Sequence, residues 1–204
     1  MKIGIDIDAT MNTAYFDNIL YAQMFCKDNN ISYTFDDTKP SVKDQFQLTN
    51  VAYGQFMTRY FPLIVQDSRP LSYCKETIDT ILKCGHEVYC ITSRDSFYDN
   101  PSHLYTGEEM MHDTLTWFQR YNLPFDSSNT FFSVSNKGEF CKRNNVDILI
   151  DDNPKHIREC IENEITCLFP LYKYNCEFIN ISNYAVALIG GWNSFRVILE
   201  STYN

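Results

Sequence analysis

The sequence lacks any apolar run of 18 residues, the length at which a helix can cross a bilayer, so a membrane-spanning protein is not expected. It also lacks a secretory start: Met1-Lys2-Ile3-Gly4-Ile5-Asp6-Ile7-Asp8 carries one basic residue, and two carboxylates break the apolar stretch that a signal peptide needs. A cytoplasmic location is the expectation. There is no Cys-x-x-Cys pair among the eight cysteines, and a disulfide framework belongs to secreted and usually shorter chains. Cys90 and Cys167 stand inside apolar runs, where a free thiol acts as a small hydrophobe. Basic residues are few: 17 Lys and Arg against 26 Asp and Glu give a formal charge of −9, which argues against a partner such as a nucleic-acid polymer. A small phosphorylated ligand stays compatible, because one metal ion and one or two cationic side chains can invert the local field. No internal repeat and no low-complexity tract is present.

What is present can fill a core. With 204 residues, 44% of them hydrophobic, the chain has room for one buried core, or one core carrying a small inserted lobe. Short apolar runs suited to buried strands recur at 2–7, 87–91, 130–134, 147–150, 166–169 and 186–189. Helical patterns alternate with them: Cys74, Ile78, Ile81 and Leu82, stopped by Gly85; Met111, Leu115 and Phe118; then 137–143, 155–163 and 193–201, the last with Trp192, Phe195 and Leu199 facing inward. This alternation predicts an α/β fold with a doubly wound, Rossmann-like parallel sheet. Residues 11–70 break it, being far too long for a βα connection. The segment is rich in aromatics and helical in pattern, so it is expected to form a small helical cap inserted after the first strand, the core comprising 1–10 and 71–204.

Two strands end in paired acids, Asp6-Ile7-Asp8 and Asp151-Asp152, and in a parallel sheet both pairs reach the carboxyl edge, where such folds bind ligands. Four converging carboxylates repel one another and push their pKa values up unless a hard cation is held, and Mg2+ fits an all-oxygen set that leaves room for a phosphate. Capping of a following helix explains one acid more easily than two pairs. The second strand runs into Thr92-Ser93-Arg94, hydroxyls and a guanidinium at the same edge, where hydroxyls and main-chain N–H groups can hold phosphate oxygens. Lys137 opens the helix before the fourth strand and can reach the same edge; Lys142, more than a turn later, competes with it.

Taken in order, Asp6-Ile7-Asp8-Ala9-Thr10, Thr92, Lys137 and Asp151-Asp152 resemble the four motifs of the haloacid dehalogenase-like superfamily. The stretches Lys137-Gly138-Glu139-Phe140-Cys141 and Ile150-Asp151-Asp152-Asn153-Pro154 are similar to the 5'(3')-deoxyribonucleotidase family and its bacterial relatives. Ala9 departs from the glycine common there, and a negative φ is expected to accommodate it. The resemblance implies a magnesium-dependent phosphomonoester hydrolase with Asp6 as nucleophile and Asp8 as general acid and base. Asp6, Asp152 and the Asp8 carbonyl would hold the metal, with Asp151 orienting a water beside it, and Thr92, the Ser93 backbone and Lys137 would hold the phosphate. In such nucleotidases cap aromatics stack on the base, a role open to Tyr53, Phe56, Tyr60 or Phe61, although helical spacing also suits them to the cap's own core. A nucleoside monophosphate is the expected substrate. Another small metabolite such as a sugar phosphate is the alternative, and a non-catalytic binding protein retaining the fold is a third reading.

Overall fold

The computed structural model describes residues 1–95 and 105–203. Six strands, β1 (Lys2–Ile5), β2 (Glu87–Ile91), β3 (Thr130–Phe131), β4 (Ile148–Ile150), β5 (Thr166–Pro170) and β6 (Ala185–Leu188), form one sheet in the order β3-β2-β1-β4-β5-β6. All its pairings are parallel. Such strands are buried on both faces, so alternate residues feed two separate cores. Ile150 and Leu168 face α4 (Cys74–Lys83), α5 (Gly107–Arg120) and α8 (Trp192–Tyr203), where Ile78, Phe118 and Phe195 pack. Leu149, Cys167 and Phe169 face α6 (Lys137–Asn144) and α7 (Pro154–Asn163), where Cys141, Ile157 and Cys160 pack. Gly4 in the central strand has a packing reason: a Cβ there would lie 2.5 Å from Ile91 Cδ1 and 3.2 Å from Leu149 Cδ1, which cross over it. Trp192, Phe195 and Leu199 are buried as expected, and all eight cysteines are free. No helix among the described residues is long and apolar enough to cross a membrane.

Several boundaries differ from the sequence expectation. The third strand stops at Phe131, not 134, because Ser133 takes a positive φ of 58° and breaks the pleat. The chain still bonds to the loop after β2, through Ser133 N–H to Arg94 O and Val134 N–H to Thr92 O. β1 ends at Ile5, since Ile7 O accepts the N–H groups of Thr10, Met11 and Asn12 in a tight turn. The last strand is one residue earlier than expected, leaving Ile189 71% exposed. On α5 the buried stripe is Met110, Thr114, Trp117 and Phe118 rather than Met111, Leu115 and Phe118. A one-residue shift turns the face by about 100°, and the same spacing suits either frame.

Between β1 and α4 the chain forms α1 (Ala14–Asp28), α2 (Val42–Gln45) and α3 (Asn50–Asp67). Its two connections run side by side, with Thr13 N–H bonded to Arg69 O and Leu71 N–H to Met11 O. The three helices bury an apolar cluster of their own around Phe25, Phe46, Phe56, Tyr60 and Ile64. In α3, Phe56, Tyr60 and Ile64 recur every fourth residue and so share the buried face.

Candidate active site

At the carboxyl edge of β1, β2 and β4 lies a cavity of about 390 Å³, closed on the other side by residues of α1, α2 and α3. Strand order reverses between β1 and β4, and ligands of open α/β sheets bind at such a switch point. Asp6 follows β1, and Asp151 and Asp152 follow β4; one carboxylate oxygen from each lies within 4.8 Å of the others. The Lys137 ammonium, 1% exposed, reaches in from the start of α6 and donates to Asp6 Oδ1 at 2.5 Å and Asp151 Oδ2 at 2.7 Å. Three carboxylates against one ammonium leave two negative charges in excess, which suits a divalent cation. Lys142 is exposed in the last turn of α6, away from this cluster.

The electrostatics carry the same imbalance. Burial, together with the neighbouring Asp151, Asp152 and Asp8, raises the Asp6 pKa well above the ordinary carboxylate value despite Lys137. Asp152 is pushed up to about 7 by burial and by Asp151, against hydrogen bonds from the Tyr174 hydroxyl at 2.5 Å and the Thr10 hydroxyl at 2.9 Å. For Lys137, burial is outweighed by Asp151 and Asp6, which hold it firmly protonated. An all-carboxylate, hard-oxygen set in which Asp6 and Asp152 resist ionisation is the chemistry a magnesium ion would satisfy.

The fourth acid is not part of that cluster. Arg94 grips Asp8 bidentately, Nε to Oδ2 at 2.9 Å and Nη2 to Oδ1 at 2.6 Å, while its Nη1 is anchored on Thr114 Oγ1 at 2.8 Å. Burial alone would raise the Asp8 pKa; the charge and hydrogen bonds of Arg94 reverse this and hold it below the usual carboxylate range. Asp8 keeps 36% side-chain exposure toward the cavity. Ala9, expected at negative φ, instead takes φ 60°. The turn imposes this, since Asn12 Oδ1 accepts from both Ala9 N–H and Ala14 N–H at 3.1 Å, and the conformation costs about 1–2 kcal/mol in a residue other than glycine.

Thr92, Ser93 and Lys137 all line the cavity. Of the four aromatics expected to stack on a base only Phe61 does; Phe56 and Tyr60 are 0% and 3% exposed within the core of α1, α2 and α3, and Tyr53 packs against that core. Helix face decides this, and their four-residue recurrence is that of the buried stripe. The aromatic the sequence did not single out is Tyr15, which lines the cavity and packs 4.7 Å from Tyr172 and 5.5 Å from Tyr174, ring centre to ring centre. Tyr174 and His156 also border the cavity without having been assigned a contact there, and no local spacing marks them; Arg94, whose guanidinium was expected at this edge, borders it as well.

A pH dependence follows. Asp6 and Asp152 bind protons more tightly folded than unfolded, so the metal-free protein loses stability as pH rises from the ordinary carboxylate value through their raised values. A cation binds only the ionised acids. The rise in Tm on adding magnesium is therefore expected to be larger at about pH 8 than at about pH 5. Equal gains at both pH values in a thermal melt would speak against these acids as the binding set.

No family model matches the sequence, and no curated protein matches it. Solved structures do. A haloacid dehalogenase-like family hydrolase from Streptococcus pneumoniae superposes with a TM-score of 0.66 at 12% identity, covering 100% of this chain and 98% of that one. A predicted phosphatase from Clostridium acetobutylicum gives 0.62 at 11% identity, covering 98% of each chain. A candidate beta-phosphoglucomutase from Thermotoga maritima gives 0.59 at 10%, again covering 98% of each. At these identities the likeness is one of architecture, and the chain has the fold of the haloacid dehalogenase-like hydrolases.

Proposed function

We propose that this protein is a magnesium-dependent phosphomonoester hydrolase, with 1–10 and 71–204 as the catalytic core and 11–70 as a cap. The observation that carries this reading is the Lys137 ammonium bridging Asp6 and Asp151 in a cavity that still holds an excess of carboxylate. Asp6 and Asp152, with the Asp8 carbonyl, would hold the ion, and Asp151 would support it from behind. When bound, magnesium supplies the positive charge that lets an anionic nucleophile meet a phosphate dianion. An Asp6 oxygen then bonds to phosphorus as the ester P–O bond breaks; Asp8, ionised at rest beside Arg94, takes up a proton as substrate binds and passes it to the leaving oxygen. Water next attacks the aspartyl phosphate, giving its proton to Asp8 and releasing Asp6. The Arg94 fork favours ionised Asp8, the form that accepts this proton. Thr92, the Ser93 main-chain N–H and Lys137 hold the phosphoryl oxygens throughout.

The cap side of the cavity supports an uncharged leaving group. Its described lining combines Tyr15, Met57 and Phe61 with the carboxamides of Asn18 and Gln45, and carries no Lys, Arg, Asp or Glu. Flat apolar surface beside hydrogen-bonding edges suits a nucleoside, so the proposed substrates are nucleoside monophosphates. The two carboxamides also suit hydroxyls, which keeps a sugar phosphate as the second reading. Comparing kcat/KM for dUMP, dTMP, ribonucleotides and sugar phosphates decides between them. Stacking on one ring is worth about 1–3 kcal/mol, so Tyr15→Ala or Phe61→Ala should lower kcat/KM for the preferred nucleotide at least fivefold and change a small aryl phosphate by less than about twofold. Higher kcat/KM on sugar phosphates would leave only the general phosphatase reading. Phe56→Ala and Tyr60→Ala should instead loosen the cap, a buried aromatic truncation costing about 3–5 kcal/mol.

A further inference from the structure

Behind the phosphate-facing side chains runs a second layer of polar contacts that the reaction scheme does not use. His156, 4% exposed on the first turn of α7, places Nδ1 at 2.8 Å from Glu159 Oε2 and Nε2 at 3.1 Å from Ser93 Oγ. A carboxylate only accepts, so Nδ1 carries a hydrogen, and the ring is fixed in tautomer and orientation. The same Glu159 oxygen accepts the Lys137 main-chain N–H at 2.9 Å. Ser93 Oγ also donates to Val134 O at 2.8 Å, so its one hydrogen is shared between that carbonyl and the ring nitrogen. At Gly138 a Cβ would sit 2.2 Å from Glu159 O, so α6 and α7 touch backbone to backbone beside this network. One connected chain of contacts thus ties Ser93, after β2, to Lys137, at the start of α6, two groups far apart in sequence that face the same cavity.

We propose that His156, oriented by Glu159, is a positioning residue for phosphate capture: it fixes Ser93 while Glu159 fixes the Lys137 end of α6, so phosphate oxygens meet donors already in place. This rests on the phosphohydrolase reading above. Burial holds the His156 pKa below its ordinary value, against the opposing pull of Asp151 and Glu159, and a neutral ring accepting from Ser93 agrees with this geometry. Truncating the ring would leave Ser93 held by Val134 O alone and Glu159 with one donor fewer, and the loss should appear in binding of the phosphate rather than in bond breaking.

The test uses inorganic phosphate as product inhibitor, in magnesium, with an aryl phosphate as substrate. His156→Leu should raise the inhibition constant for phosphate and KM by about five- to tenfold, the value of one hydrogen bond, with kcat changed less than about threefold. His156→Gln, whose amide reaches Ser93, should recover most of this. His156→Asn, whose shorter amide reaches only Glu159, should not. Because His156 acts through Ser93, the Ser93→Ala/His156→Leu double variant should bind phosphate no more weakly than the weaker single variant. An unchanged inhibition constant in His156→Leu, losses that multiply in the double variant, or equal phosphate binding by the Gln and Asn variants would each overturn the proposal. If the leucine variant does not fold, the Gln and Asn comparison decides alone. Failure of the unsubstituted protein to bind phosphate in magnesium overturns the phosphohydrolase reading first, and the positioning role with it.

Discussion

Asp6→Asn is expected to leave less than about a thousandth of the turnover while the fold persists or grows more stable. An amide is a poor nucleophile and a weak magnesium ligand, so both proposed roles of Asp6 fail together. The stability half follows from the same environment. Burial and three neighbouring acids raise the Asp6 pKa, so keeping it ionised at neutral pH destabilises the metal-free protein, and a neutral isostere removes that strain. Lys137 keeps Asp151 as a partner, so no buried ammonium is stranded. Turnover of an aryl phosphate and a thermal melt check the two halves separately. Acid-quenched reactions with labelled substrate add a third readout: label should stay on the protein in Asp8→Asn, which attacks but hydrolyses slowly, and not in Asp6→Asn. Near-normal kcat in Asp6→Asn with an unchanged circular dichroism spectrum would move the nucleophile to another residue.

Lys137→Ala is the second large effect, and it should strike stability and rate together. Its ammonium is 1% exposed between Asp6 and Asp151, the latter 0% exposed, so removal leaves buried carboxylates without their cation. Breaking such a pair from one side costs about 3–5 kcal/mol of stability. Loss of one preorganised cation at the phosphoryl oxygens is worth a further factor of about 100 to 1,000 in kcat. The drop in Tm should be smaller at about pH 5 than at about pH 8, because the stranded acids take up protons as pH falls. Lys142→Ala, on the exposed end of α6, should stay within about 0.5 kcal/mol and keep its activity. The opposite ranking of the two lysines would reassign the phosphate-binding cation.

Local chemistry made much of this readable from residues alone. Strands of β-branched and aliphatic residues, broken by helices with apolar stripes such as Cys74, Ile78 and Ile81, must alternate in space as they do in sequence, and a parallel sheet is the outcome. Acids standing immediately after β1 and β4 then have to emerge at one edge, so strand direction alone places Asp6, Asp151 and Asp152 there. Lys137 needed only the start of its helix. The aromatics of the lobe were ambiguous for a physical reason: periodicity marks a shared helix face but does not say whether that face meets the lobe's own core or the cavity.

What the sequence by itself determined is therefore the order of elements, the edge where chemistry gathers and the residue types that gather there. Only the tertiary structure decided the pairing of charges. Asp8 lies 86 residues from Arg94 and Asp6 131 from Lys137, and nothing local tells a buried carboxylate which cation will reach it. The structure turned Tyr15 into the cavity and Phe56 and Tyr60 away from it, set Ala9 in a left-handed turn around Asn12, and joined Ser93, His156, Glu159 and Lys137 into one network. Each of these depends on where distant elements come to rest against one another, because hydrogen bonds and ion pairs act over a few ångströms of space and not along the chain.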